Sequence, residues 1–241
     1  MTQTPSPAPE PPGGRLVLSP AGTWRGVRTL LPVAIFVIPF GIAFGVAASE
    51  RGLSVIQSLG MSALVFSGAA QFPTLEFWQD PIAFASLALV VLAVNARHVV
   101  MGAALSPWIN TLPVRHRVLL LSLLSDPNFA SGQMALRAGE RDLGVLLGGG
   151  LILWVNWIAG TAIGALAGRL IGAPATFGLD VVMTCFLAAM VAGQIERRTK
   201  ILPVLVAALV AVILLDHVPT GWNVILGALA GGIAGSVRHA R

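Results

Sequence analysis

Long stretches of this chain contain no charged residue. Residues 29–49 form one such stretch and residues 52–75 form another. A helix crosses the bilayer core with about 20 consecutive apolar residues, so each stretch is long enough to span a membrane. Only 10% of the residues are charged, whereas soluble domains carry roughly 25%. We therefore predict a polytopic membrane protein.

Similar stretches recur to the end of the sequence. They predict an all-α, inner-membrane helical bundle of seven to eight membrane segments, with candidates at 29–49, 52–75, 81–108, 118–136, 143–168, 179–195, 201–215 and 222–237. Polar residues interrupt two candidates near their centres, so we predict broken helices near residues 95–98 and 125–128. The polar residues in 52–75 are too many for a lipid-facing helix and predict that much of this segment faces protein or a cavity.

The proline-rich start of the chain differs from the rest. Residues 1–24 are predicted to be a disordered cytoplasmic tail, and residues 25–241 a single transmembrane domain. Arginines between the apolar stretches place both termini in the cytoplasm, because cytoplasmic loops of membrane proteins are enriched in Lys and Arg. Arg115 and Arg117 are the exception, since eight full crossings would put them outside. Either the fourth segment is re-entrant or interfacial, or the charge rule fails there.

Glycines at four-residue spacing predict close helix packing, because helices in lipid associate through small residues. The spacing occurs at Gly160, Gly164, Gly168 and Gly172, at Gly41 and Gly45, and at Gly227, Gly231 and Gly235. Internal packing is the preferred interpretation, although the last set also marks the final segment as a surface for another subunit. A weak similarity between 41–53 and 160–179 leaves open a duplication into two related halves.

Ionisable residues within the apolar segments are the candidates for function, because a charge at bilayer depth costs about 3 kcal/mol or more. They are Arg97, His98, Asp126 and Asp180. Each also has a structural interpretation. Arg97 could pair with Asp126 or bond to backbone carbonyls, His98 could be a hydrogen-bonded packing residue, and Asp180 could cap a helix.

The combination favours transport of a zwitterion, which needs a cation at one end and an anion or carbonyl cluster at the other. The predicted substrate-binding residues are Arg97, Asn95, Asp126, Asn128, Gln71 and Ser67, in apolar surroundings that suit an apolar side chain. Asn128 and Gln71 could instead satisfy broken helix backbone. His98 and Asp126 are the candidates for proton coupling, since histidine changes charge near neutral pH.

Several short motifs resemble the AzlC family, the large subunits of bacterial branched-chain amino acid exporters. The motifs are Gly41-Ile-Ala-Phe-Gly45, Val65-Phe-Ser-Gly-Ala-Ala-Gln71-Phe72, Asn95-Ala-Arg97-His98, Ser125-Asp126-Pro-Asn-Phe129 and Gly178-Leu179-Asp180. The resemblance covers about residues 25–215 and implies proton-coupled efflux of leucine, isoleucine, valine and often methionine, together with a small AzlD-type membrane subunit. Pro127 stands where the family commonly has an acid, which leaves Asp126 and His98 as the remaining candidates for carrying protons.

Other classes of protein are less compatible with the sequence. No nucleotide-binding loop is present, nor a Gly-x-Ser-x-Gly or His-Glu-x-x-His motif, so we predict neither ATP coupling nor an enzyme. The single cysteine, Cys185, offers no disulfide or cysteine metal site, and we predict no cofactor and no metal. The scattered arginines argue against a nucleic-acid partner. A channel, or a scaffold for the partner subunit, stays open as an alternative.

Overall fold

The structure is a computed structural model that describes residues 16–76, 78, 84–171, 201–215, 217–218 and 222–239. The helices in this part of the chain are α1 (Pro20–Glu50), α2 (Val55–Val65), α3 (Gly68–Glu76), α4 (Phe84–Ile109), α5 (Val114–Ser122), α6 (Asp126–Arg137), α7 (Gly144–Ile171), α8 (Ile201–Ile213) and α9 (Trp222–His239). Three of them contain a segment long and apolar enough to cross a bilayer, namely Pro20–Glu50, Leu87–Ile109 and Gly144–Gly168. The predicted all-α class is confirmed.

Helices α1 and α7 pack side by side in parallel and form the centre of the described fold. Glycines line the contact, as the four-residue spacing predicts. A methyl group at Gly41 would lie 2.8 Å from the Trp157 carbonyl oxygen, and one at Gly164 would overlap the Ile42 carbonyl. We call the end where α1 and α7 begin the lower end, and the end where they finish the upper end.

Helices α2 and α3 form the upper hairpin, which enters and leaves at the upper end. Descending α2 bonds to α7 at Thr161, through Ser62. Phe66, after α2, packs on the cluster of Leu30, Ala34 and Leu153. Ascending α3 then brings Leu75 into the cluster at the end of α1. The candidate segment 52–75 is therefore two short helices, a break that the sequence analysis missed.

Helix α4 runs in the opposite direction to α1 and α7. Its final residues, from Met101 to Ile109, share a buried cluster with Leu143 and Leu146 at the start of α7. The helix continues without interruption through residues 95–98, so the predicted break there is wrong. The stretch contains neither proline nor glycine, and its polar side chains extend sideways from an intact helix.

Helices α5 and α6 form the lower hairpin, which enters and leaves at the lower end. Helix α5 ascends, antiparallel to α4. At its start, the Arg117 guanidinium lies 3.3 Å from the Asn110 side-chain oxygen. Descending α6 returns to Leu136, beside Leu143. The predicted break near 125–128 is confirmed, since α5 ends at Ser122 and α6 begins at Asp126. Arg115 and Arg117 thus lie at the same end as Arg137.

Helices α8 and α9 pack against each other through the predicted glycines of the last segment. A methyl group at Gly227 would lie 2.7 Å from the Ala207 carbonyl oxygen, and one at Gly231 would lie 2.7 Å from that of Pro203. This face of α9 is occupied internally, so it is not the free subunit surface considered from the sequence. Gly172 and Asp180 lie outside the described residues, as does the part of the suspected duplication after residue 171.

Helix α1 starts at Pro20, so its first residues belong to the segment 1–24 that was predicted to be a disordered tail. Val17 pairs with the loop before α7: its amide donates to the Arg141 carbonyl at 3.0 Å and its carbonyl accepts from Leu143 at 2.8 Å. Ser19 caps α1 and its hydroxyl donates to Asp142. Asp142 also accepts from the Gly144 amide at 2.9 Å and therefore joins the starts of α1 and α7.

Asp142 titrates below its ordinary range. Burial alone would raise its pKa, but hydrogen bonds from Ser19 and Gly144 and the nearby Arg25 cation lower the pKa overall. Asp142→Asn is therefore expected to destabilise the protein by about 1–3 kcal/mol, because buried donors lose a charged acceptor. Thermal unfolding of the purified proteins in detergent at pH 7 measures this loss, and equal melting temperatures would contradict it.

The same carboxylate makes stability depend on pH. Because the folded pKa lies below the unfolded value of about 3.9, the contribution of Asp142 is fully present above that value and is lost as the pH falls through the folded pKa. The stability difference between the wild type and Asp142→Asn is therefore expected to shrink below about pH 4. A constant difference from pH 7 to pH 3 would refute this assignment.

Candidate functional site

An ion pair lies at the tip of the lower hairpin, halfway along α4. Arg97 donates to Asp126 at 2.9 Å, and the two side chains are 30% and 44% exposed. Asp126 is in the first turn of α6, where the positive end of the helix dipole favours a negative charge. The sequence analysis named this pairing as one of two structural interpretations of Arg97. The pair is accessible, so a ligand could compete for either partner.

Polar atoms without a hydrogen-bond partner in the described part of the chain occur in residues next to the ion pair in sequence. Buried atoms with no hydrogen bond in the described structure include the Asn95 side-chain oxygen, the Arg97 Nε and the Ser125 hydroxyl. Buried polar atoms are normally paired, because an unsatisfied one costs about 1–3 kcal/mol. These residues therefore have both hydrogen-bond donors and a hydrogen-bond acceptor that are not in use. Donors are available for a carboxylate and an acceptor for an ammonium group.

His98 follows Arg97 on α4. Its Nδ1 atom lies 3.3 Å from the Asn95 carbonyl oxygen, one turn earlier on the same helix. This contact orients the ring along the helix, as a packing residue would be oriented. The role of His98 in proton coupling stays a prediction.

Asn128 braces the tip of the lower hairpin. The residue is buried, and its side-chain amide donates to the carbonyls of Leu123 at 3.3 Å and Leu146 at 3.0 Å. It thus satisfies backbone where the helix is broken, which is the alternative interpretation left open for it. Its side-chain oxygen has no hydrogen-bond partner in the described part of the chain.

Gln71 is fully buried in a side-chain network behind the tip of the upper hairpin. Its oxygen accepts from the Trp157 indole at 2.9 Å, and its amide donates to Ser62 at 3.1 Å. Ser62 in turn lies 2.8 Å from the hydroxyl of Thr161. Both halves of the Gln71 amide are therefore engaged with side chains rather than with broken helix backbone, so the network holds α2, α3 and α7 together.

Ser67 is the predicted site residue at the tip of the upper hairpin. The preceding Phe66 has a φ of 43°, which reverses the chain between α2 and α3. Ser67 is 5% exposed, and its hydroxyl has no hydrogen-bond partner among the described residues. The structure thus divides the predicted site residues between two tips: Asn95, Arg97, Asp126 and Asn128 lie at or beside the lower tip, and Ser67 and Gln71 at the upper one.

Sequence analysis overlooked part of this site. Ser62, Thr161 and Trp157 complete the upper network, and Ser125 contributes the free hydroxyl at the lower tip. A signal for Trp157 and Thr161 was available, because residues four apart on a helix share a face. Their link to Ser62 was not accessible from sequence, since it joins positions 99 residues apart.

The described fold is that of a helical membrane protein. An ion pair halfway along a helix as apolar as α4 belongs in the bilayer only where the charges are paired or beside a cavity. The apolar residues exposed on α4 include Leu92, Val99 and Val100, and such a surface suits lipid or other membrane-embedded partners.

Comparison with known proteins identifies the family. The AzlC protein model matches residues 32–171. The inner membrane protein YgaZ of Escherichia coli strain K12 is 31% identical over 219 residues, covering 87% of this chain and 86% of the relative. The branched-chain amino acid transport protein AzlC of Bacillus subtilis strain 168 is 27% identical over 183 residues, covering 73% and 71%. This chain belongs to the AzlC family. No solved structure matches it significantly.

Proposed function

We propose that this protein is the large subunit of a secondary transporter that exports branched-chain amino acids across the cytoplasmic membrane. The observation that carries the proposal is the accessible ion pair between Arg97 and Asp126 at the tip of the lower hairpin. Similarity to a relative named for branched-chain amino acid transport supports the substrate class. Leucine, isoleucine and valine are the expected substrates, with methionine as a further candidate.

The ion pair provides a binding mode for a zwitterion. The carboxylate of the amino acid would pair with Arg97, and its ammonium group with Asp126, so that each charge exchanges one partner for another. Neither charge is left unpaired during the exchange, which avoids the main cost of handling ions at this depth. The unpartnered oxygen of Asn95 and hydroxyl of Ser125 are available to complete the hydrogen bonds.

The distribution of arginines supports a cytoplasmic lower end. The arginines there are Arg25, Arg28, Arg115, Arg117, Arg137 and Arg141. Because Lys and Arg concentrate in cytoplasmic loops, we place this end and the N-terminus in the cytoplasm. The hairpin arrangement removes the conflict with the charge rule at Arg115 and Arg117. The lower hairpin would then face the cytoplasm and the upper hairpin the outside.

Proton coupling and a partner subunit complete the proposal. Asp126 and His98 are the proposed proton carriers. Asp126 is paired with Arg97, and His98 follows Arg97 on α4. A small AzlD-type membrane protein is the proposed partner, on the basis of the resemblance in sequence.

Leucine flux into inside-out vesicles tests the proposal. Vesicles that contain both subunits are expected to accumulate labelled leucine when the lumen is acidic, because export in the cell corresponds to uptake here. Uptake should saturate with leucine and fall to the level of empty vesicles when a protonophore removes the gradient. Flux that rises linearly with leucine concentration would instead indicate a channel. Full flux in vesicles that contain only the partner would indicate that this chain is a scaffold and not the carrier.

A further inference from the structure

The tip of the upper hairpin has the features of an anion site. Ser67 precedes α3, and its carbonyl accepts from the amides of Ala70 at 2.9 Å and Gln71 at 2.8 Å. A serine at this position normally bonds its own hydroxyl to an amide of the first turn. Here the hydroxyl is buried and has no partner in the part of the chain that the structure describes. The hydroxyl and the first amides of α3 are therefore both available to a ligand.

The start of α3 is suited to a negatively charged group. The first amides of a helix, here those of Gly68 and Ala69, have no carbonyl within the helix to bond. Together with the helix dipole they favour an anion. The network of Gln71 with Trp157 and Ser62 fixes α3 one turn beyond the tip. This bracing holds the amides in place before a ligand arrives.

The lower tip repeats this arrangement from the opposite end of the fold. Ser125 precedes α6 as Ser67 precedes α3, and its hydroxyl is also without a partner. The lower tip approaches α7 at Gly150, where a methyl group would lie 2.5 Å from the Leu123 carbonyl oxygen. The upper tip bonds α7 at Trp154, through the Ala63 carbonyl. The two contacts are four residues, or roughly 6 Å, apart along α7.

We propose that the upper tip is a second carboxylate subsite, formed by the Ser67 hydroxyl and the amides of Gly68 and Ala69. This inference rests on the proposed transport function. The carboxylate of the amino acid leaves Arg97 at the lower tip and is received by the upper tip as access changes from one side to the other. Both subsites bind the same group, and both hairpin tips contact the same stretch of α7, at Gly150 and Trp154.

Protection of a cysteine at position 67 tests the subsite. The chain has one cysteine, so Cys185→Ser provides a background in which Ser67→Cys is the only thiol. Leucine is expected to slow its modification by methyl methanethiosulfonate about tenfold, whereas leucinol, which lacks the carboxylate, leaves the rate unchanged. The control is Ser236→Cys, because Ser236 is exposed on α9 and its hydroxyl already donates to the Ile233 carbonyl, and leucine should not alter its rate.

Three outcomes would overturn the subsite: a cysteine at 67 that never reacts, one that leucine does not protect, or one that leucinol protects equally. Leucine flux by the Cys185→Ser background reports the transport function separately, so the two proposals fail in different measurements. Ser67→Ala gives a second readout and is expected to raise the KM for leucine about tenfold while the protein stays folded. An unchanged KM would also reject the subsite.

Discussion

Arg97→Ala is expected to raise the KM for leucine by about 10- to 100-fold, since a hydrogen bond to a charged group contributes about 1.5–3 kcal/mol. The substitution removes the proposed partner of the substrate carboxylate and leaves Asp126 without its cation. Asp126 lies in the first turn of α6, where the positive end of the helix dipole still favours its charge, so the protein should still fold. Initial rates of labelled leucine uptake into inside-out vesicles measure the effect.

Two further variants separate binding from a general effect of charge. Arg97→Lys keeps the charge but lacks the planar fork that binds a carboxylate through two bonds, so an intermediate KM is expected. Arg137→Ala is the matched control, because Arg137 lies in the last turn of α6, at the opposite end from Asp126. Its KM should equal that of the wild type. Wild-type kinetics in Arg97→Ala would remove Arg97 from the mechanism.

Gly164→Val is expected to prevent folding or to lower the melting temperature by more than about 10 °C, because overpacking at a close backbone contact costs several kcal/mol. A methyl group at Gly164 would overlap the Ile42 carbonyl. Helix α1 cannot move aside there without separating from α7 along much of its length. Size-exclusion chromatography in detergent and thermal unfolding detect the loss.

The matched control is Gly60→Ala. Gly60 lies within α2, and a methyl group there would have no neighbour within 4 Å. The substitution should leave the stability unchanged or raise it by about 0.5–1 kcal/mol, since alanine favours a helix more than glycine does. A Gly164→Val protein as stable as Gly60→Ala would show that the α1 and α7 backbones do not approach as closely as described.

Features with a local chemical cause could be predicted from the sequence. Gly41, Gly160 and Gly164 were identified as packing residues because their spacing puts them on one helix face, and the structure uses them in this way. The break before α6 was predicted near residues 125–128, and Pro127 lies in the first turn of that helix. Pairing of Arg97 with Asp126 was among the predicted alternatives, because an unpaired charge within a membrane is costly.

Features that depend on contacts between distant parts of the chain could not be predicted from the sequence. The break at Phe66 has no proline to signal it, and the chain reverses there because the Gln71 network and the surface of α7 stabilise the turn. The opposite error occurred in α4, where polar residues suggested a break in a helix that is continuous. Re-entry of the fourth segment was one of the two alternatives that Arg115 and Arg117 left open. Re-entry of the second segment was not predicted, because it depends on contacts of Ser62 and Phe66 with distant parts of the chain.

Leucine binding to the purified protein, compared with two analogues, tests the central claim that Arg97 and Asp126 bind a zwitterion. Leucinol lacks the carboxylate that would pair with Arg97, and 4-methylpentanoate lacks the ammonium group that would pair with Asp126. We predict that each analogue binds at least about tenfold more weakly than leucine, as the loss of one charge-assisted hydrogen bond implies. Equal affinity of leucine and either analogue would contradict the binding mode.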